Sequence, residues 1–238
     1  MTAPLRVEDL GRRSYAHVLE LQRELRRRRI AGELGEDVLL LVEHPPVITL
    51  GRGTRQSSLP LSPSELARQG VEVFEVERGG DVTYHGPGQL VGYPILDLRA
   101  HRQDLHWYLR RLEDVLIHAL GRLDIEADRN PGLTGVWTAG RKIASIGIHV
   151  KQWVTLHGFA LNVTTDLDPF DLIVPCGIRQ VVMTSVASEL LRQDSDGLMA
   201  EARTLVVEAF CEVFGMSVVM ASSEARERAS EELKASRA

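Results

Sequence analysis

Three stretches of this 238-residue chain hold residue types that could make and break bonds. In IVPCGI, residues 173–178, Cys176 stands between a proline and a glycine at the end of an apolar run. Free cysteine often serves as a small buried hydrophobe. Here Pro175 fixes the backbone on one side, and Gly177 permits a sharp turn and close ligand approach on the other. A thiol at such a corner can act as a nucleophile, with backbone N–H groups near it to receive an oxyanion. Cys211 gives the contrast, because it falls on the apolar side of LVVEAFCEVF and reads as core.

The second stretch is RKIASIGIHV. The chain carries 25 arginines and only three lysines, Lys142, Lys151 and Lys234, so a lysine in an apolar setting is informative. The alternation puts Lys142 on one strand face with Ala144, Ile146 and Ile148. Burying its ammonium there is costly and would lower its pKa. Two readings follow: a strand-end lysine that snorkels to solvent, or a general base and cationic partner for a nucleophile.

The third stretch, RGGDVTYHGPGQL, has four glycines, a histidine and a tyrosine in thirteen residues. A hairpin turn would explain Gly79-Gly80. It does not explain a second break at Gly86-Pro87-Gly88, and two flexible corners around DVTYH suit a loop shaped to pass around a substrate. The spacing matches neither a P-loop nor a dinucleotide fingerprint. Other groups are weaker candidates. His44, in EHPP, reads as the end of a strand, Asp166 and Asp168 as helix caps, and the arginine run 26–29 as a solvated helix face or a docking patch for an acidic partner.

The elements that must carry these residues are mixed in order. Residues 14–31 read as an amphipathic helix capped by Ser14, with Tyr15, Val18, Leu19 and Leu25 inward. DVLLLVEHPPVITLG reads as two buried strands broken at Pro45-Pro46. A polar loop over 52–62, a short capped helix in SPSELARQG and a strand in VEVFEVER follow. LVGYPILDL is a strand and DLHWYLRRLEDVLIHALGRL a long helix capped by Asp104. GVWTAG, RKIASIGIHV and VTLHGFALNV are strands, and TSVASELLR and GLMAEARTLVVEAFCEVFG are helices. Adjacent strands without strict alternation predict an α/β protein of the α+β type, a mixed sheet flanked by helices. The expected division is one catalytic domain over residues 1–220 and a flexible tail over 221–238.

Bulk properties exclude several classes. At 44% apolar and 26% charged residues, the composition is that of a globular protein. No apolar run reaches membrane-span length, and the first residues lack a signal-peptide core, so a cytoplasmic location is expected. Two distant cysteines suggest no disulfide framework, and scattered histidines suggest no metal. The net charge of −5 argues against nucleic-acid binding.

Together, HPPVITLGR, RGGDVTYHGPGQLVGYPI, GRKIASIGIHV, HGFALNV and IVPCGI, in this order and spacing, resemble the octanoyltransferase family of lipoate assembly over about residues 40–190. The resemblance implies a biotin/lipoate protein ligase-like catalytic domain. It implies transfer of an octanoyl group from octanoyl-acyl carrier protein to a lysine of lipoyl domains, those of 2-oxoacid dehydrogenases and of the glycine cleavage H protein. Cys176 then aligns with the acyl-thioester nucleophile and Lys142 with the lysine that activates it. The substrate contacts fall on Arg78, Gly79, Gly80, Asp81, Val82, Thr83, Tyr84 and His85, on Ser145, Ile146 and Gly147, and on Gly158, Phe159 and Ala160. No cofactor, metal, nucleic acid or membrane is implied. An ATP-dependent lipoate or biotin protein ligase shares the glycine-rich loop and the strand lysine but needs no nucleophilic thiol. A non-catalytic lipoyl-domain binder would leave Cys176 unreactive. A papain-like hydrolase would need a histidine, such as His85 or His157, beside the thiol.

Overall fold

The computed structural model describes residues 3–174, 181–192 and 194–219. Cys176 and the expected tail over 221–238 lie outside them. The described strands are β1 (Ala3–Arg12), β2 (Asp37–Glu43), β3 (Val47–Leu50), β4 (Glu72–Glu75), β5 (Val82–His85), β6 (Gln89–Ile95), β7 (Asp128–Asn130), β8 (Leu133–Thr138), β9 (Arg141–Lys151), β10 (Val154–Asn162) and β11 (Met216–Val219). The helices are α1 (Tyr15–Ala31), α2 (Pro63–Arg68), α3 (Leu105–Gly121), α4 (Val186–Leu190) and α5 (Ser195–Phe214).

Among the described residues, eight strands form one sheet in the order β11-β1-β2-β6-β10-β9-β8-β7, and β4-β3-β5 form a second. The large sheet is parallel from β11 through β1 to β2 and antiparallel from β2 onward, the mixed sheet expected. Its two faces are covered by different helices, and the period-two alternation of β2 sorts its leucines between them. Leu39 and Leu41 join Tyr108, Leu112 and Leu116 of α3 and Val206 and Phe210 of α5. Leu40 and Val42 join Tyr15, Val18, Leu19 and Leu25 of α1, the four residues expected to face inward. Each such aliphatic side chain, fully buried, contributes about 2 kcal/mol.

The break at Pro45-Pro46 does more than end a strand. The chain leaves the large sheet there, and β3 becomes the centre of the small one, packed with Leu66 of α2 and with Phe170. The small sheet thus suspends the glycine-rich loop, which leads into β5, over the large sheet. Local capping signals hold: Ser62 forms a capping box with Glu65, and Asp104 accepts from Trp107 N at 3.0 Å. Ser14 is the N-cap of α1, without a side-chain cap bond.

The run 26–29 is not a uniform solvated face. Arg29 donates from Nε to buried Asp37 at 3.0 Å, and Arg26 turns toward Glu77 at 3.8 Å. Only Arg27 is an open surface pair, with Glu24 at 2.6 Å. Cys211 is half-buried against the α3–α5 layer, and burial pushes its thiol pKa up.

Candidate active site

A cavity of about 410 Å³ lies between the glycine-rich loop and the strands β9 and β10. The loop reaches the strands because glycines leave room. A Cβ on Gly51 would stand 2.4 Å from Gly80 O, and one on Gly147 would stand 3.1 Å from Gly79 O and from Arg78 Cδ. Gly80 itself has φ +82°, in the left-handed region. Arg78 braces the loop from within: it is buried, and Nη2 donates to Thr49 O at 2.6 Å and Thr49 Oγ1 at 2.9 Å. Asp81 braces the other side, accepting from Ser58 Oγ and from Val82 N, each at 2.8 Å.

Of the substrate contacts expected from sequence, residues 78–83, His85, residues 145–147 and residues 158–160 all line this cavity, as does Lys142. Tyr84 does not. Its ring packs with the small-sheet core and meets Phe170 edge-on at 5.5 Å, because successive strand side chains point to opposite faces. Phe159 and Ile146, opposite each other in register, belong with their side chains to the α3–α5 layer.

Lys142 stands where β9 begins, after a turn through Ala139 and Gly140, both at positive φ. The β8–β9 register shifts between Val136 and Trp137, so the simple alternation expected around Lys142 is interrupted there. On its other side the lysine backbone meets residues 182–184: its N–H donates to Val182 O at 2.8 Å, and its carbonyl accepts from Thr184 N at 2.9 Å. The side chain lies over Gly135, where a Cβ would come within 2.8 Å of Lys142 Cε. Its Nζ is 5.7 Å from the centre of the Trp137 ring, a cation–π distance. Ile173, Val181 and Met183 also line the cavity, so the chain reaches its wall both before and after Cys176 in sequence.

The opposite end of the cavity is rich in imidazole and phenol groups. His44, buried beside it, faces Arg13 O through Nδ1 at 2.8 Å and must donate to that carbonyl. Its Nε2 therefore accepts from Tyr93 OH at 2.9 Å. His85 stacks on Tyr15 with ring centres 6.1 Å apart. Burial brings the pKa of His44 down to about 4 and that of His85 down to about 3. Burial likewise raises the pKa of Tyr15 and of Tyr93.

His157 is 2% exposed, has φ +60°, and neither ring nitrogen has a hydrogen-bond partner among the described residues. Glu77 lies 3.9 Å from its Nε2, and burial lowers the imidazole pKa. A non-glycine residue in that backbone region marks local strain. Sequence reasoning missed Tyr15, Tyr93, Trp137 and Met183 as cavity residues. Their only local signals are those of ordinary core positions.

No group of three or more potential metal-ligating side chains occurs among the described residues. No described helix is long and apolar enough to cross a membrane.

Comparison with known proteins matches residues 14–211 to the lipoyl protein ligase A/B catalytic domain. The chain is 53% identical to an octanoyltransferase of Nostoc sp., over 83% of this chain and 86% of that one. It is 50% identical to an octanoyltransferase of Gloeobacter violaceus, over 89% and 90% of the two chains. Among solved structures, it shares the fold of a bi-partite lipoate protein ligase from Thermoplasma acidophilum, with a TM-score of 0.66 at 18% identity, covering 95% of this chain and 91% of that one. The chain belongs to the lipoyl protein ligase A/B catalytic-domain family, and its relatives at about half identity are octanoyltransferases.

Proposed function

We propose that this member of the lipoyl protein ligase A/B family is an acyltransferase that moves octanoyl groups in protein lipoylation, by way of a thioester on Cys176. The octanoyltransferase relatives support the transfer. The observation that carries the cysteine route is that Ile173 and Val181, on either side of Cys176 in sequence, line the same cavity as Lys142. Two residues separate Ile173 from Cys176 in sequence, and three steps of chain reach about 11 Å at most.

In this reading the donor is octanoyl-acyl carrier protein. The Cys176 thiolate attacks its thioester carbonyl, the carrier thiol leaves with a proton, and the acyl group stays activated on the enzyme at nearly equal energy. An amine from a lipoyl-domain lysine then attacks that second thioester. The amide forms, the amine gives up a proton, and Cys176 regains its thiol. Amide formation from a thioester is downhill, so no nucleotide is consumed. A free thiol of pKa about 8.5 is only a few per cent ionised at neutral pH. An ammonium at Lys142 favours the thiolate, and the neutral amine can take the proton from the acceptor. The apolar part of the cavity suits the acyl chain. Burying six methylenes contributes roughly 5 kcal/mol, which selects chain length in part.

The test is intact-mass analysis after mixing with octanoyl carrier protein and no acceptor. The protein should gain one octanoyl mass, removable by hydroxylamine. Cys176→Ala should gain none and lose turnover; if it still acquires the acyl group, the nucleophile is another residue.

A further inference from the structure

Gln89 and Asn162 are each 1% exposed and Thr184 is 3% exposed, yet none belongs to the loop or the lysine turn. Buried amides persist only where they are bonded, and these two are bonded in series. The series ends at Thr184 O, which can only accept, so Asn162 must turn Nδ2 toward it, at 3.0 Å. Its Oδ1 then faces Gln89 and accepts from Nε2 at 2.9 Å. Gln89 Oε1 is left to accept from His85 Nδ1 at 2.7 Å. One backbone carbonyl thus fixes both amide orientations and the His85 tautomer. From Thr184 the series passes to the lysine turn, since Thr184 N donates to Lys142 O at 2.9 Å. The Thr184 hydroxyl also donates to Glu189, which receives the guanidinium of Arg141, the neighbour of Lys142.

We propose that Asn162 is a positioning residue for Lys142, acting through the buried hydrogen-bond series His85–Gln89–Asn162–Thr184. Asn162 stands at the end of β10, outside the cavity lining. Its effect runs through the segment 182–184, which brackets the Lys142 backbone on the side away from β8. All donors in the series point the same way, so each bond polarises the next. The same series ties His85, at the end of β5, to the lysine turn, so the two walls of the cavity share one support.

The inference rests on the proposed role of Lys142, and the test separates the two. Single-turnover transfer and steady-state kinetics with octanoyl carrier protein and a lipoyl-domain acceptor are measured for Lys142→Ala, Asn162→Ala and Asn162→Asp. Melting is followed in parallel to count folded molecules. Asn162→Ala should lower kcat per folded molecule about a hundredfold, the effect of a misplaced catalytic group, with the donor KM nearly unchanged. Asn162→Asp keeps the shape but offers Thr184 O a carboxylate; protonated, it regains a donor. Its rate relative to the parent protein should therefore climb as pH falls, a signature that lost stability does not produce.

If Asn162→Ala does not fold, the Asn162→Asp ratio alone decides. A deficit that is constant with pH, or rates equal to the parent's, overturns the inference while leaving an inactive Lys142→Ala to support the role of the lysine. Undiminished turnover in Lys142→Ala overturns both.

Discussion

At the α1 end of the cavity, His44 and His85 have their Nδ1–H groups committed to Arg13 O and Gln89 Oε1, and burial takes their pKa values to about 4 and about 3. At the other end, Lys142 lies over glycine, against an indole face, at a strand end bracketed by the segment 182–184. Both ends carry nitrogen bases, and His85, with His157, is one that a search for a cysteine–histidine pair selects. An imidazole of pKa 3 or 4 cannot retain a proton taken at neutral pH, so it is a poor general base there. The environment thus disfavours these histidines as bases, which supports the basic role proposed for Lys142.

The largest expected effect breaks the comparison at the lysine. Lys142→Arg keeps a positive charge beside Trp137 but cannot deprotonate in a protein. If the lysine serves only as a charge, acyl-enzyme formation and transfer should both survive in part. If it also takes the acceptor's proton, the acyl-enzyme should form and then stall, with transfer slowed on the order of a hundredfold. Rapid-mixing measurements of the two half-reactions distinguish these. Transfer at the parent rate would show that the lysine end has no base role.

How much of this was legible in the sequence depends on how local the cause is. Caps at Ser62 and Asp104, the buried face of α1 and the strands of the central sheet follow from signals within a few residues. The strand β1 did not stand out, because APLRVEDLGR carries four charged side chains, and its partners, β2 and β11, lie far along the chain. Nor could Pro45-Pro46 reveal that the strands on its two sides join different sheets. The imidazole end is a long-range assembly: Tyr93 reaches His44 across 49 positions, and Gln22 of α1 accepts from His157 N across 135. Half of the cavity lining was reached through motif resemblance, and Tyr84 shows the limit of that route. Its motif position is right, but strand alternation turns its ring to the other side.

A second, smaller effect sharpens the comparison through pH. The folded-state pKa of His44, about 4, lies below the ordinary 6.5, so the unfolded chain binds more protons between those values. Stability should then be full above about pH 6.5 and fall as the pH drops toward 4, by about 3 kcal/mol from this group. His85, at about 3, extends the loss to lower pH in the same direction. Urea midpoints measured between pH 7 and pH 4 should show the slope, and His44→Gln should flatten part of it. A midpoint that is flat with pH in the parent protein would mean that these imidazoles are not held neutral by burial.

The smallest effect tests whether the imidazole end is support alone. Tyr93→Phe keeps the ring against Tyr15 and Ala160 in the α1 layer but removes the hydroxyl that His44 Nε2 accepts from. The lone pair is left buried without a donor, since Nδ1 remains committed to Arg13 O. Stranding a buried acceptor costs about 1 to 2 kcal/mol, so the unfolding free energy should fall by that amount and the urea midpoint should drop accordingly. The tautomer of His44 is fixed from the Arg13 side, so its ring should stay in place, and the protons moved during transfer should be unaffected. The pH dependence of turnover should therefore overlay that of the parent. A displaced profile with an unchanged urea midpoint would reverse the assignment, because the hydroxyl would then act in proton movement and not in holding the fold. The division between a supporting end and a reacting end would fail at that residue.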